Sequence, residues 1–208
     1  VLPESITLEK LEKYIKEMLN GQNELIDSKI YAQKISGTNI FRSKIEIPIG
    51  LWDDPENQQQ KPLVLSFTEK GNYAVCGMPM SGRSTLIQTT VYGLIHRYTP
   101  DELNIYILDF SNKMLGVCED ESHIGGILYE NDNEGVERFF HMLEYMLEER
   151  KELFSGGSYQ QYLSSHTEKC PAVLIAIDNI AGFREKTEFK YDEKMIRISR
   201  ECASYGIY

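Results

Sequence analysis

The sequence predicts an α/β fold, a mainly parallel β-sheet with helices on both faces, preceded by a short helix-and-strand extension. Three observations predict it. From Asn72 onward, short apolar runs alternate with longer stretches of helical period. The runs NIYILDF (104–110) and PAVLIAIDN (171–179) are apolar with little alternation, as strands covered on both faces are. A glycine-rich loop, GMPMSGRST (77–85), stands between a predicted strand and a predicted helix.

Residues 1–42 form a helical lead-in. Thr7 can cap a helix whose apolar positions Leu8, Leu11, Ile15, Met18 and Leu19 follow helical spacing, with Gly21 as its stop. The main domain spans 43–208. Its opening, SKIEIPIGL (43–51), alternates Ile45, Ile47 and Ile49 with polar residues or proline, which predicts a half-buried strand. WDDPENQQQKP (52–62) reads as a polar turn or loop, and LVLSF (63–67) as the next strand. NYAVCG (72–77) predicts a short buried strand running into the glycine loop. After that loop, Leu86, Ile87, Val91, Leu94 and Ile95 share one helical face. NIYILDF is the next strand and GGILYE (125–130) the one after. The strongest helix runs from about Glu134 to Phe154 on a stripe of Val136, Phe139, Phe140, Leu143, Met146 and Leu147, and Gly156–Gly157 ends it. PAVLIAIDN is the last full strand, closing on Asp178.

A chain of 208 residues, 41% hydrophobic, suits one domain with a short extension. At this length roughly 70% of the unfolded surface can be buried, so no disulfide or metal is needed for stability. A net charge of −10, from 22 basic and 32 acidic residues, argues against a broad nucleic-acid or anionic-membrane face. Cys76, Cys118, Cys170 and Cys202 form no C-x-x-C pair and read as buried or partly buried reduced thiols of a cytosolic protein. The four histidines are dispersed and suggest no metal site. Residues 1–20 are charged throughout, unlike a secretory leader, and the longest apolar run, 172–177, is far short of a membrane span.

The glycine loop has the outline G-x-x-x-x-G-K-[ST] with Arg83 in the lysine position. Glycines let the backbone close around phosphate oxygens, and the helix that follows aims free N–H groups at them. Gly77, Gly82, Arg83, Ser84 and Thr85 are therefore candidate phosphate-binding residues, with Ser84 the candidate Mg²⁺ ligand. Arg83 keeps the charge, but a planar guanidinium is not equivalent to a compact ammonium. Asp178, ending an apolar strand, is the candidate second Mg²⁺ ligand. Asn179 follows it where a glutamate often orients the attacking water, and an amide cannot take a proton. Asp109 ends another strand, either as a third functional acid or, more commonly, as a strand cap. Met78 and Met80 are two flexible apolar side chains that could fill the space of a phosphate. CEDESH (118–123) reads as a solvated loop, and Phe139–Phe140 as core.

Taken in order, IPIGLWDDPENQQQKPLVLSF, GMPMSGRST, IYILDFSNKML, HIGGILYENDNEGVERFFHMLEYMLEERKELF and VLIAIDNIAGF resemble an FtsK/SpoIIIE-type ATPase domain. Within that group the likeness is to the last, C-terminal domain of the membrane-anchored ATPase of type VII (ESX-like) secretion, from about Leu2 to Tyr208. The resemblance implies a RecA-like P-loop fold, ATP and Mg²⁺ as cofactors, and a place on the cytosolic side of a membrane-anchored machine. It puts Gly77, Gly82, Arg83, Ser84 and Thr85 on the Walker A loop, Asp178 on the Walker B aspartate and Asn179 on the catalytic acid. It also implies that RISRECASYGIY (197–208) is a helix and the start of a strand, the closing strands of the sheet lying outside this sequence.

The expected function is accordingly a regulatory or substrate-recognising domain of a protein-secretion motor with weak or no ATP hydrolysis. Expected partners are neighbouring ATPase domains of the same chain, small helical WXG-type substrates, other secretion subunits and, in the full machine, a hexamer. Two other readings are an active DNA translocase of the same superfamily and a nucleotide-free scaffold. The charge of −10, Arg83 and Asn179 count against the translocase.

Overall fold

The computed structural model describes residues 7–11, 13, 44–166 and 168–208. Of the lead-in, residues 8–11 are helical, with Thr7 as the cap: its Oγ1 accepts from Lys10 N–H at 3.3 Å and its carbonyl from Leu11 N–H at 2.9 Å. The predicted continuation through Ile15, Met18, Leu19 and Gly21 lies outside the described residues.

Strands β1 (Glu46–Asp54) and β2 (Gln59–Ser66) form an antiparallel hairpin, with Ile47 opposite Leu65 and Trp52 opposite Lys61. Here the polar stretch expected to be a loop is mostly strand. Only residues 55–58 turn, and Lys61 lies 5.2 Å from the Trp52 ring centroid and 2.7 Å from Asp54. The far half of the hairpin is largely solvated on both faces, so it carries no apolar alternation to read. Helix α1 (Phe67–Lys70) is a single turn after β2.

The second departure is residues 72–77, which join no ladder. Tyr73 and Val75 are each 39% exposed, and Cys76, expected to be buried or partly buried, is exposed too. A strand is held by a hydrogen-bonded neighbour, and this segment has none among the described residues. Tyr73 instead bonds the Ser66 backbone through its hydroxyl and packs edge-on against Phe67.

The other strands form a parallel sheet in the order β4–β3–β5, from β3 (Leu103–Asp109), β4 (Ile124–Tyr129) and β5 (Ala172–Asp178). Helix α2 (Arg83–Arg97) lies on one face, over Ile105, Ile107, Leu174 and Ala176, with Val91, Leu94 and Ile95 pointing inward. Helix α3 (Asn133–Phe154) covers the other face, over Leu108 and Val173, with Val136, Phe139, Phe140, Leu143 and Leu147 buried. Successive residues of β3 and β5 thus feed opposite cores, which is why their sequences are apolar without a break. Gly93 lets α2 approach the hairpin, for a β-carbon there would lie 2.8 Å from Ile47 Cδ1.

Helices α4 (Tyr159–Ser165), α5 (Ile180–Lys186) and α6 (Asp192–Glu201) complete the described architecture. The expected helix and strand start at 197–208 are both present, as the end of α6 and as residues 206–208 bonded to Val173 and Ile175 on the edge of β5. Arg150 fixes this join. It is buried, and its guanidinium donates to the carbonyls of Tyr205 (2.6 Å), Gly206 (3.1 Å) and Pro171 (2.6 Å). All four cysteines are free thiols, Cys118 and Cys202 buried and Cys170 half-buried. Burial pushes the Cys202 thiol up to about 11. No helix among the described residues is long and apolar enough to cross a membrane.

Candidate functional site

The glycine loop folds as its composition requires. Ser81 N–H donates to the Met78 carbonyl at 3.1 Å, closing a turn, and Gly82 takes a left-handed conformation (φ 85°) as the residue before α2. A β-carbon on Gly77 would stand 2.4 Å from Ser81 Oγ, so a larger residue there would displace the serine hydroxyl. Arg83, Ser84 and Thr85 are the first three residues of α2, Ser84 half-buried and the other two exposed. Their N–H groups lack helical partners, and the first turn has no acidic side chain, so this end of a 15-residue helix favours an anion. Met78 and Met80 do not fill the loop: they are 77% and 105% exposed, with Met80 held at φ 64°. The turn from Met78 to Ser81 directs both side chains into solvent.

Asp109 and Asp178 end adjacent strands as direct register partners. Both are buried, at 2% and 4% exposure, and their surroundings differ. Asp109 accepts from the N–H groups of Ser111, Lys113 and Leu115, each at 3.2 Å, and so curls the following loop around itself. Its strand-cap reading holds. Asp178 has one carboxylate oxygen, Oδ2, without a hydrogen-bond partner among the described residues. A buried carboxylate oxygen left unpaired is costly. That deficit is what a cation at the end of β5 would remove, and a carboxylate and a hydroxyl, as at Asp178 and Ser84, are the hard oxygen donors that Mg²⁺ takes.

Asn179 sits at φ 65°, a conformation asparagine tolerates, and begins α5. Its Oδ1 accepts from Gly182 N–H at 3.1 Å and its Nδ2 donates to the Phe110 carbonyl at 2.8 Å. Sequence reading gave this residue only a missing-base role. The glycine three positions on was the available signal, because a helix cap needs its third N–H approachable. The acidic stretch 118–123 is solvated in its middle but anchored at both ends by buried Cys118 and His123, whose Nε2–H donates to the Tyr98 carbonyl at 2.9 Å. Among the described residues, no cluster of three or more His, Cys, Asp or Glu side chains could hold a metal ion.

Residues 30–184 match the model of the FtsK/SpoIIIE family. The chain belongs to the FtsK/SpoIIIE family. Among relatives in that family it is 27% identical over 169 residues to the type VII secretion system protein EssC of Staphylococcus aureus (strain MRSA252), and 29% identical over 164 residues to the ESX secretion system protein EccC of Geobacillus thermodenitrificans. These alignments cover 79% and 77% of this chain but 11% of each relative, so the chain spans about a tenth of the proteins it resembles. Among solved structures, ATPases 2 and 3 of EssC from Geobacillus thermodenitrificans superpose with a TM-score of 0.74 at 27% identity, over 82% of this chain and 33% of that one. ATPases 2 and 3 of Thermomonospora curvata EccC, solved with a signal sequence peptide, share the fold at a TM-score of 0.71 and 24% identity, over 82% and 32%. The mixed α/β architecture is thus that of the FtsK/SpoIIIE P-loop ATPase domains.

Proposed function

We propose that this chain is an ATPase-like domain of a type VII secretion motor that binds Mg-ATP with weak or no hydrolysis and serves regulation or substrate recognition. The observation that carries the reading is the buried, unpartnered Oδ2 of Asp178 at the end of β5, in a chain whose glycine loop runs into the start of α2. Gly77, Gly82 and the first N–H groups of α2 would hold the phosphates, with Arg83 supplying charge from the first helical position. Ser84 and Asp178 would hold the magnesium ion, which screens phosphate charge when bound. Weak turnover follows from Asn179: it cannot accept a proton, and both ends of its amide are already bonded to backbone. The aligned part of this chain covers only 11% of each of these relatives, and the similar solved proteins carry two or more ATPase domains. Neighbouring ATPase domains, other secretion subunits, small helical WXG-type substrates, a hexameric assembly and a membrane anchor elsewhere in the protein complete the proposal.

Calorimetric titration of the intact chain with Mg-ATP, beside Arg83→Lys, tests it. Micromolar binding by the native chain, with little or no ATP turnover, supports the reading and makes Arg83 a working phosphate ligand. Binding by the lysine variant alone would show that Arg83 silences an otherwise complete site. Failure of both proteins to bind overturns the proposal.

A further inference from the structure

Both halves of the candidate site are fastened to one short piece of backbone, Phe110 to Met114. On the β5 side, Phe110 N–H donates to the Asp178 carbonyl at 3.2 Å, and the Phe110 carbonyl accepts from Asn179 Nδ2 at 2.8 Å. On the α2 side, Gln88 Nε2 donates to the Met114 carbonyl at 3.0 Å. Gln88 lies four residues beyond Ser84, on the same face of α2. Between these fastenings and at the residue just past them the chain wraps the buried Asp109 carboxylate, which takes the N–H groups of Ser111, Lys113 and Leu115. The segment is short, tied at both ends and clamped in the middle.

We propose that Phe110–Met114 is a strut that sets the spacing between Ser84 and Asp178, and that Gln88 and Asn179 are the positioning residues at its two ends. The inference rests on the nucleotide reading above and deepens it, because a magnesium ion shared by a hydroxyl and a carboxylate depends on the distance between them. It also recasts Asn179. Far from being an empty base position, it is a two-ended latch, and a β-carbon on Gly182 would stand 2.3 Å from its Nδ2. An acid at 179 would set a carboxylate oxygen against the Phe110 carbonyl. Asn179→Asp therefore slackens the strut and does not create a hydrolytic enzyme.

The test uses the intact chain, with ATP titrated in Mg²⁺ and in EDTA, and hydrogen exchange read without nucleotide. Asn179→Ala and Gln88→Ala should each weaken Mg-ATP about five- to tenfold while changing Mg-free ATP by less than about twofold. The double variant should lose no more than the larger single loss, because one strut is already slack. The amides of Ser111, Lys113 and Leu115 should exchange faster in both single variants, and Asn179→Asp should show no gain in turnover. Equal losses with and without Mg²⁺, additive losses, or a turnover gain in Asn179→Asp each overturn the proposal. Unchanged exchange overturns it whatever nucleotide does. Faster exchange in the variants of a chain whose native form binds no Mg-ATP keeps the strut as a brace between α2 and β5 and overturns the nucleotide reading alone.

Discussion

Asp109 and Asp178 are the same residue type, at the same end of neighbouring strands, in register and almost equally buried. One is saturated by three backbone donors; the other keeps an oxygen that nothing in the described structure satisfies. The difference separates two uses of a buried carboxylate. Asp109 stabilises the fold by organising a loop. Asp178 carries a desolvation cost that binding can relieve, a cost folded proteins keep at functional sites. Burial alone does not distinguish them; the donor inventory does.

The comparison breaks most visibly in stability. Asp109→Ala leaves three N–H groups without an acceptor, one of them fully buried, and should cost about 3 kcal/mol in urea unfolding. Asp178→Asn removes an underbonded charge and should be neutral or stabilising by about 1 kcal/mol without nucleotide. The same Asp178→Asn change should abolish the stabilisation that Mg-ATP confers on the native chain, read as a lost thermal shift. If the two substitutions cost the same, the distinction between the aspartates fails.

Much of the sheet was legible because apolar period and strand length agree: β3, β4, β5, α2 and α3 each carry a one-meaning pattern. The hairpin's outer half was not, since both of its faces are wet, and a solvated strand has the composition of a loop. Nor was the unpaired state of 72–77, because a strand's existence depends on a neighbour that its own residues do not encode. Two features were readable in principle. Ser158 and Gln161 form a capping box at the start of α4, a spacing that announces a helix. Arg150 falls on the α3 stripe between Leu147 and Phe154, and a charge on a buried stripe must find partners. In the site, sequence could rank the glycine loop and Asp178 but could not tell a saturated aspartate from an unsaturated one. That depends on the loop after β3 curling back, a tertiary fact.

A third class of carboxylate supplies the smallest effect and the sharpest contrast. Helix α6 packs only the half-buried Met195 and Ile198 against the core and is otherwise tied to α3 by surface ion pairs, Lys194–Glu144 (2.9 Å), Arg197–Glu148 (2.9 Å) and Glu201–Lys151 (3.3 Å), with Lys190–Glu137 (3.5 Å) just before its start. Hydrogen bonding to Lys151 holds the Glu148 carboxyl below its ordinary range, and Arg184 does the same for Asp192, the first residue of α6. A carboxylate depressed in the folded state stabilises above its unfolded pKa, and loses that contribution as pH falls through the folded value. Protection of α6 amides from exchange should therefore hold near neutrality and decline below about pH 4. It should also weaken in 1 M salt, where screening acts over about 3 Å. The amides clasped by Asp109 should be indifferent to salt, because their carboxylate is shielded from it. Salt sensitivity at Leu115 equal to that at α6 would place Asp109 among the surface carboxylates and remove it from the core of the fold.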